Sequence, residues 1–465
     1  MGTKTQSGSD NAREAHRDLN HPESAKQALY AAFESKDARF DGRIFVGVSS
    51  TGIYCRPVCH ARMPRYENCT FFASAAEAEM AGYRPCLSCR PELAPGMSTA
   101  DATASLARRA ALMLQSNCAS GGSIERIAAR LGYTDRHLRR VFADEFNVTP
   151  VQYLQTCRLL LAKSLLTDSD LTVTQVALAS GFSSVRRFND AFRKRYRLAP
   201  TDLRKQAATG RLRADGITVK LSYRPPYRWE ELLAFFRARQ LFGVEAITDD
   251  VYRRTVRVPV GADGEARGWL CAAHDEEKGL LRVTLSESLL PVLPQVIARV
   301  RHQFDIDCDP TAIFERIRTL DTIVPGACKA GTRLPGCFDA FETATRAVLG
   351  QQVSVKAANR LAARLVDAFG SPFETGVEGL THGFPTPHEV LSLPGTIEDN
   401  LGPLGIIGSR ARTIAALARG LESGDLDLST DADPIEQVEK LLAIKGIGSW
   451  TAHYLVMRTM GYPDA

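Results

Sequence analysis

Along the chain the spacing of apolar positions changes character several times. The first 25 or so residues are polar and are expected to be disordered. A short helix is expected over 24–35, then a strand-like run at 43–48 and a helix over 73–81 stopped by Gly82. From about 99 to 205 the pattern is helical with no alternating stretch. Alternation returns in ITVKLS near 217 and in runs at 252–260, 269–273 and 280–285, with a helix over 229–240. Beyond about 301 the pattern is helical again, over 340–350, 353–370, 410–419 and 434–442 and in the closing LLAIKGIGSWTAHYLVMRTM. Polar stretches after Pro91 and at 207–215 read as linkers. The expected fold class is multidomain: a small α+β domain at 25–95, an all-α domain at 100–205, an α+β subdomain at 215–300 and a helical domain at 301–465.

An internal repeat lies inside the first helical part. IAARLGYTDRHLRRVFADEFNVTP begins at Ile127, and VALASGFSSVRRFNDAFRKRYRLAP begins at Val176. Gly132 and Gly181 are 49 apart, whereas Phe142 and Phe192, and Pro150 and Pro200, are 50 apart, so one residue is inserted between them. Each unit is a short apolar helix, a Gly turn, a Ser/Thr start and an Arg-rich second helix, which is a helix-turn-helix pattern. Thr134 and Ser183 are the expected caps of the two recognition helices. Arg136, Arg139 and Arg140 in the first unit, and Arg186 and Arg187 in the second, are the expected DNA contacts.

Charge supports that assignment. The chain carries a net +5, yet 123–205 alone holds 15 Lys/Arg against 8 Asp/Glu, so the rest sums to −2. The alternative is a solvated charged face on a helical bundle. A second DNA-directed element is Lys445-Gly446-Ile447-Gly448 between two apolar helices. Gly446 and Gly448 would let backbone N–H groups approach a phosphate, unless the turn is an ordinary αα connection.

Cysteine spacing adds a metal. Cys55 and Cys59 are separated by three residues, Cys86 and Cys89 by two, with 26 between the pairs. Two close pairs can complete a tetrahedron around one Zn²⁺. Eleven cysteines, no apolar run of 18 residues and a polar first twenty residues argue against a membrane span and export. A cytoplasmic location is expected.

Three stretches carry resemblances. TGIYCRPVC, ENCTFF and GYRPCLSCRPE resemble the N-terminal domain of Ada-type adaptive-response proteins, and residues 105–205 resemble the DNA-binding domain of AraC-family regulators. YRPPYRW, LPGCFDAFETATRAVLGQQVSV and GIGSWTAHY look like an AlkA-type 3-methyladenine glycosylase II of the helix-hairpin-helix class, over about 215–465. The first resemblance implies that Cys55, Cys59, Cys86 and Cys89 hold zinc and that Cys55 accepts methyl groups from DNA phosphotriesters. Methylation would halve the −2 charge of a four-thiolate zinc centre and tighten DNA binding, coupling damage to transcription. The Pro-Cys-His-Arg motif of the alkylguanine methyltransferase domain found in many Ada proteins does not occur. The third resemblance implies a flipped-base pocket with Gln351, Trp450 and Tyr454. Duplex DNA and RNA polymerase are the implied partners, and a monomer is expected.

The resemblance departs at two points. Gln352 stands where the family's better-known members carry a wedging Leu, and the family's catalytic Asp would fall beyond Ala465. A plain regulator with structural zinc and a glycosylase remnant is the competing reading.

Overall fold

The computed structural model describes residues 23–95, 106–119, 123–207, 216–260 and 264–462. The disorder expected before residue 23 and most of the two linkers, at 96–105 and 208–215, lie outside them.

The cysteine-bearing part opens with α1 (Glu23–Glu34), followed by β1 (Phe45–Val48), β2 (Ile53–Cys55), β3 (Cys69–Phe72), α2 (Ala75–Met80) and β4 (Arg84–Pro85). The sheet order is β3-β1-β2-β4, with β1 antiparallel to both neighbours and β4 parallel to β2. All four residues of β1 are buried, which is why it reads as an apolar run rather than an alternation. The parallel β2–β4 pair fixes the site: Cys55 ends one strand, and the Cys86 N–H donates to Tyr54 O at 3.0 Å just after the other.

Seven helices follow: α3 (Leu106–Ser116), α4 (Ile124–Arg130), α5 (Asp135–Phe146), α6 (Pro150–Asp168), α7 (Val173–Ala179), α8 (Val185–Tyr196) and α9 (Pro200–Ala207). α6 begins at a capping box made by Thr149 and Gln152, with Pro150 at its first position. Its two halves belong to different cores. Tyr153 packs with Leu138, Phe142 and Phe146 of the first repeat. Leu159, Leu165 and Leu166 pack with Phe188, Phe192 and Tyr196 of the second, and that core runs on into Ile217, Val219 and Leu221 of the next sheet.

That sheet has five antiparallel strands in the order β5-β9-β8-β7-β6: β5 (Ile217–Ser222), β6 (Glu245–Thr248), β7 (Val251–Val260), β8 (Gly264–Asp275) and β9 (Leu280–Leu285). α10 (Trp229–Ala238) buries Trp229, Leu232, Leu233 and Phe236 on one face. The short β6 escapes a pattern search because its first residue, Glu245, is charged; buried there, it accepts a hydrogen bond from the Leu241 N–H and pairs with Arg346. α11 (Leu293–Gln303) runs across position 300, where the sequence placed a domain boundary.

The remainder comprises α12 (Pro310–Ile317), α13 (Ala340–Leu349), α14 (Val355–Phe369), α15 (Pro387–Leu391), α16 (Ile397–Leu401), α17 (Gly408–Ser423), α18 (Pro434–Leu442) and α19 (Ser449–Met460). It is not wholly helical: β10 (Ser371–Pro372) and β11 (His382–Gly383) pair antiparallel. Their Gly383 and His382 carbonyl side lies against β7, where Thr255 Oγ1 donates to His382 O at 2.9 Å. No helix among the described residues is long and apolar enough to cross a membrane.

Candidate functional site

The four cysteines converge. One sulfur from each of Cys55, Cys59, Cys86 and Cys89 lies within 4.8 Å of every other. Zn–S bonds of about 2.3 Å in a tetrahedron need sulfurs about 3.8 Å apart, so the cluster fits one zinc ion with little adjustment. The thiols also strain one another electrostatically. Hydrogen bonds among them draw Cys86 far below the usual thiol range and Cys59 down to about 7, while Cys55 is pushed far up. Cys89 is pushed up as well, the lowering by its bond to Cys55 outweighed by its bonds to Cys59 and Cys86, so the four sulfurs share protons that a cation would displace.

The sulfurs are not equivalent. The Arg56 main-chain N–H donates to Cys89 Sγ at 3.3 Å. Cys55 is only 7% exposed, whereas Cys89 is half-buried.

The cysteine region is locked onto the helices behind it. Lys163 of α6 pairs with Glu92 at 2.5 Å, both side chains about 1% exposed. Arg90 pairs with Asp168 at 2.5 Å, and Asp168 also takes Lys220 of β5 at 3.0 Å. Glu79 of α2 accepts hydrogen bonds from the Tyr54 hydroxyl and the Thr156 hydroxyl, both at 3.1 Å, and pairs with Arg195 of α8 at 3.5 Å. Burial raises Glu79 to about 7 despite Arg195.

Both helix-turn-helix units form as the repeat implies. Gly132 and Gly181 turn with φ of +78°, and a Cβ on Gly181 would come within 2.6 Å of Cys118 O, so that turn excludes any other residue. Thr134 caps α5 by accepting the His137 N–H. The expected cap in the second unit needs correction: Ser184, not Ser183, caps α8 by accepting the Arg187 N–H, and Ser183 Oγ instead takes an Arg187 guanidinium bond at 3.2 Å. The inserted residue falls before the helix, so the match to Thr134 is 50 residues on. Arg136, Arg140, Arg186 and Arg187 are exposed, while Arg139 is tied to Asp135 at 2.8 Å and to Glu125 at 3.3 Å.

The first unit also touches the last part of the chain. Arg130 pairs with Asp427 at 3.0 Å and Asp431 at 3.1 Å, and Arg109 donates to Asp431 O at 3.1 Å.

A cleft of about 300 Å³ lies between α10, the sheet and α13, α14 and α19, within the size range of small-molecule sites. Trp450 and Tyr454 stack at its rim, ring centroids 5.1 Å apart and 8° from parallel, and Trp450 is 74% exposed. Gln351 does not line the cleft; its amide donates to Gly446 O at 2.9 Å and to Thr451 Oγ1 at 3.3 Å, pinning the hairpin. Gly446 has φ of +98°, and a Cβ there would meet Thr413 Oγ1 at 2.2 Å. Lys445 is exposed, and beside Gly448 the space is open, leaving the start of α19 free for a phosphate.

Several cleft residues escaped the sequence reading. Phe235 of α10 lines it from the opposite wall, with Arg239 stacked on its ring at 3.9 Å. Phe235 lies off the buried stripe of its helix, which is the one signal that could have revealed it. Arg458 donates to the Tyr454 hydroxyl at 2.6 Å and to Gly336 O at 2.9 Å. The cleft's two carboxylates among the described residues, Glu245 and Glu342, are paired with Arg346 and with Arg254 and Arg346. Burial would raise Glu342, but the two arginines outweigh it and hold it below the usual range.

A thiolate zinc centre, tandem helix-turn-helix units and a hairpin-flanked aromatic cleft together define a DNA-directed repair and regulatory protein. Family models agree region by region: the metal binding domain of Ada matches residues 28–92, a helix-turn-helix domain 127–206, the AlkA N-terminal domain 218–339 and the HhH-GPD superfamily of base excision DNA repair proteins 345–463. A Mycobacterium tuberculosis protein named probable bifunctional transcriptional activator/DNA repair enzyme AlkA is 36% identical over 444 residues, covering 94% of this chain and 87% of its own. DNA-3-methyladenine glycosylase 2 of Escherichia coli is 35% identical over 238 residues, 51% of this chain and 79% of that protein. Among solved structures, a 3-methyladenine DNA-glycosylase from Archaeoglobus fulgidus has a TM-score of 0.41 at 23% identity, over 52% of this chain and 80% of that one. The chain belongs to the family of Ada/AlkA-type bifunctional transcriptional activators and DNA repair enzymes, and its Ada-type region holds one zinc site.

Proposed function

We propose that the chain senses and repairs DNA alkylation at two sites. At the first, Cys55, Cys59, Cys86 and Cys89 hold zinc, which keeps the thiolates deprotonated at neutral pH. The Cys55 thiolate attacks the methyl carbon of a methylphosphotriester; the C–S bond forms as the C–O bond breaks, and the electron pair leaves on the phosphate oxygen. Each chain accepts one methyl group. The observation that carries this reading is the convergence of the four sulfurs within 4.8 Å of one another in a region that matches the metal binding domain of Ada, whose likeness makes Cys55 the acceptor.

Losing one thiolate charge then favours promoter DNA, contacted through Arg136, Arg140, Arg186 and Arg187, with Arg139 and the caps Thr134 and Ser184 holding the helices. Recruitment of RNA polymerase, a monomeric state and a cytoplasmic location belong to the same reading. Incubation with methylphosphotriester DNA followed by peptide mass spectrometry is expected to show one added methyl on Cys55. Methyl on Cys89, the more exposed sulfur, would reassign the acceptor, and no methyl with zinc retained would leave a structural centre.

At the second site, the hairpin at Lys445, Gly446 and Gly448 grips the backbone while an alkylated purine such as 3-methyladenine, turned out of the duplex, stacks on Trp450 and Tyr454. Gln351 supports the hairpin rather than the base. The reading predicts that this chain binds DNA carrying 3-methyladenine in preference to undamaged DNA, and that the base is released when the carboxylate the resemblance places past Ala465 is supplied in a longer chain. Lesion binding without release by the longer chain would instead favour the regulator reading, in which the cleft recognises but does not cut.

A further inference from the structure

One buried arginine joins the cysteine-bearing part to the glycosylase half. Arg224 opens the RPPYRW stretch of the glycosylase half and is 2% exposed. Its Nη2 donates to Asp41 O at 2.8 Å, across 183 residues of sequence, and its Nη1 donates to Asp307 O at 2.5 Å. Asp41 is the residue that holds Arg56: its carboxylate takes Arg56 Nε at 2.9 Å and also Arg56 Nη2, both groups buried. Arg56 in turn stitches the two cysteine pairs together. It follows Cys55 directly, its main-chain N–H donates to Cys89 Sγ at 3.3 Å, and its Nη1 donates to Cys89 O at 3.2 Å.

We infer that Arg224 is a positioning residue for the four-cysteine centre, supplied by the glycosylase half and acting through Asp41 and Arg56. A planar guanidinium can bridge two carbonyls at a fixed angle, whereas a lysine ammonium is a compact point charge that satisfies them less well. The turn after Asp41 lies tight against Pro95, where a Cβ on Gly42 would strike Pro95 O, so a shift of Asp41 is passed on to its neighbours. Removing Arg224 therefore leaves Asp41 O without its cross-domain partner and lets the turn carrying the Asp41 carboxylate drift. Arg56 then loses its fixed acceptor, and with it the geometry of its bonds to Cys89. Groups that orient metal ligands from behind typically change metal affinity by 10–100-fold when removed.

The inference rests on the cysteines being a zinc centre with one reactive ligand, but its test does not need methyl transfer. In the full chain loaded with zinc, release to an excess of a chromophoric chelator is followed for wild type, Arg224→Met, Arg224→Lys and Asp41→Asn. Release is expected to quicken about tenfold in Arg224→Met, at the lower end of that range, and more in Asp41→Asn. Arg224→Lys should fall between wild type and Arg224→Met. Arg257→Met, which breaks ion pairs to Glu265 and Glu389 elsewhere in the glycosylase half, should release zinc at the wild-type rate. The visible ligand-field bands of the cobalt-loaded chain should shift in Arg224→Met and not in Arg257→Met.

Wild-type release and unchanged bands in a folded Arg224→Met overturn the inference, as does equal quickening in Arg257→Met, which would mark general loosening. If Arg224→Met shows no cooperative thermal unfolding, Arg224→Lys decides by the same two measurements. A chain that never accepts methyl but whose zinc release responds to Arg224 would sink the acceptor reading and leave this one standing.

Discussion

The zinc centre and the base cleft are built on opposite plans. The centre is local: four ligands lie within 35 residues, on the ends of a parallel strand pair and the turns after them. The cleft is assembled from afar, with Phe235 from α10 and Arg239 just after it, Glu245 and Arg254 from the sheet, Glu342 and Arg346 from α13 and Trp450, Tyr454 and Arg458 from α19. A local site can be read from spacing but needs an outside brace to hold its geometry. A distributed site needs no brace beyond the fold that makes it, and for that reason spacing hides it.

The comparison breaks most visibly at the metal. Stripping zinc, or substituting Cys86→Ser, should remove folding energy on the order of 10 kcal/mol from residues 28–92. Hydrogen exchange should show amide protection lost there and retained in α13–α19; loss in both would mean that the centre is not self-contained. The joint between the regions comes next. Lys163→Met leaves Glu92 buried with Arg90 alone, so chemical denaturation should show a loss of about 3 kcal/mol, the low end for a broken buried pair. Trp450→Ala should weaken the preference for lesion-bearing over undamaged duplex by about 2 kcal/mol in anisotropy titrations. Zinc content should not change, since none of the described bonds links Trp450 to the cysteines.

A pH effect follows from Glu79. Its carboxyl titrates at about 7 in the folded chain against 4.5 for a freely solvated glutamate, so between those values the folded state holds a proton that the unfolded state has released. Stability from this group is therefore greatest below about pH 4.5, falls as pH rises through 7 and is flat above, by at most about 1.4 kcal/mol per pH unit. Glu79→Gln should flatten that part of the stability profile. The smallest effect separates the two serines: Ser184→Ala should cost about 1 kcal/mol of thermal stability, as an N-cap does, and Ser183→Ala much less.

The repeat and the hairpin were legible because each places its chemistry within a few residues of a turn that only Gly or a capping hydroxyl supplies, and the cysteine pairs because two ligands three or four positions apart must share one turn. Most elements were legible too, since one buried face imposes a period. What failed has physical causes. β6 is short and starts with a buried Glu, which looks like a loop until Arg346 arrives from 101 residues away. Ser183 and Ser184 are adjacent hydroxyls, and only the backbone decides which one faces the helix. Arg224 and Arg458 look like surface charges in sequence because their acceptors are distant main-chain carbonyls.

The divided packing of α6 means that the tandem repeat is not one object mechanically. Its first unit closes on its own aromatic cluster, but its second shares a continuous interior with the five-stranded sheet. A fragment cut in the linker at 208–215 would strip the sheet from Leu159, Phe188 and Phe192 and expose a greasy seam. Expressed alone, the regulator half should clump or melt early, and the glycosylase half should do the same. The natural breakpoint of this chain lies midway along a helix, and the two DNA-reading units are expected to unfold at different temperatures.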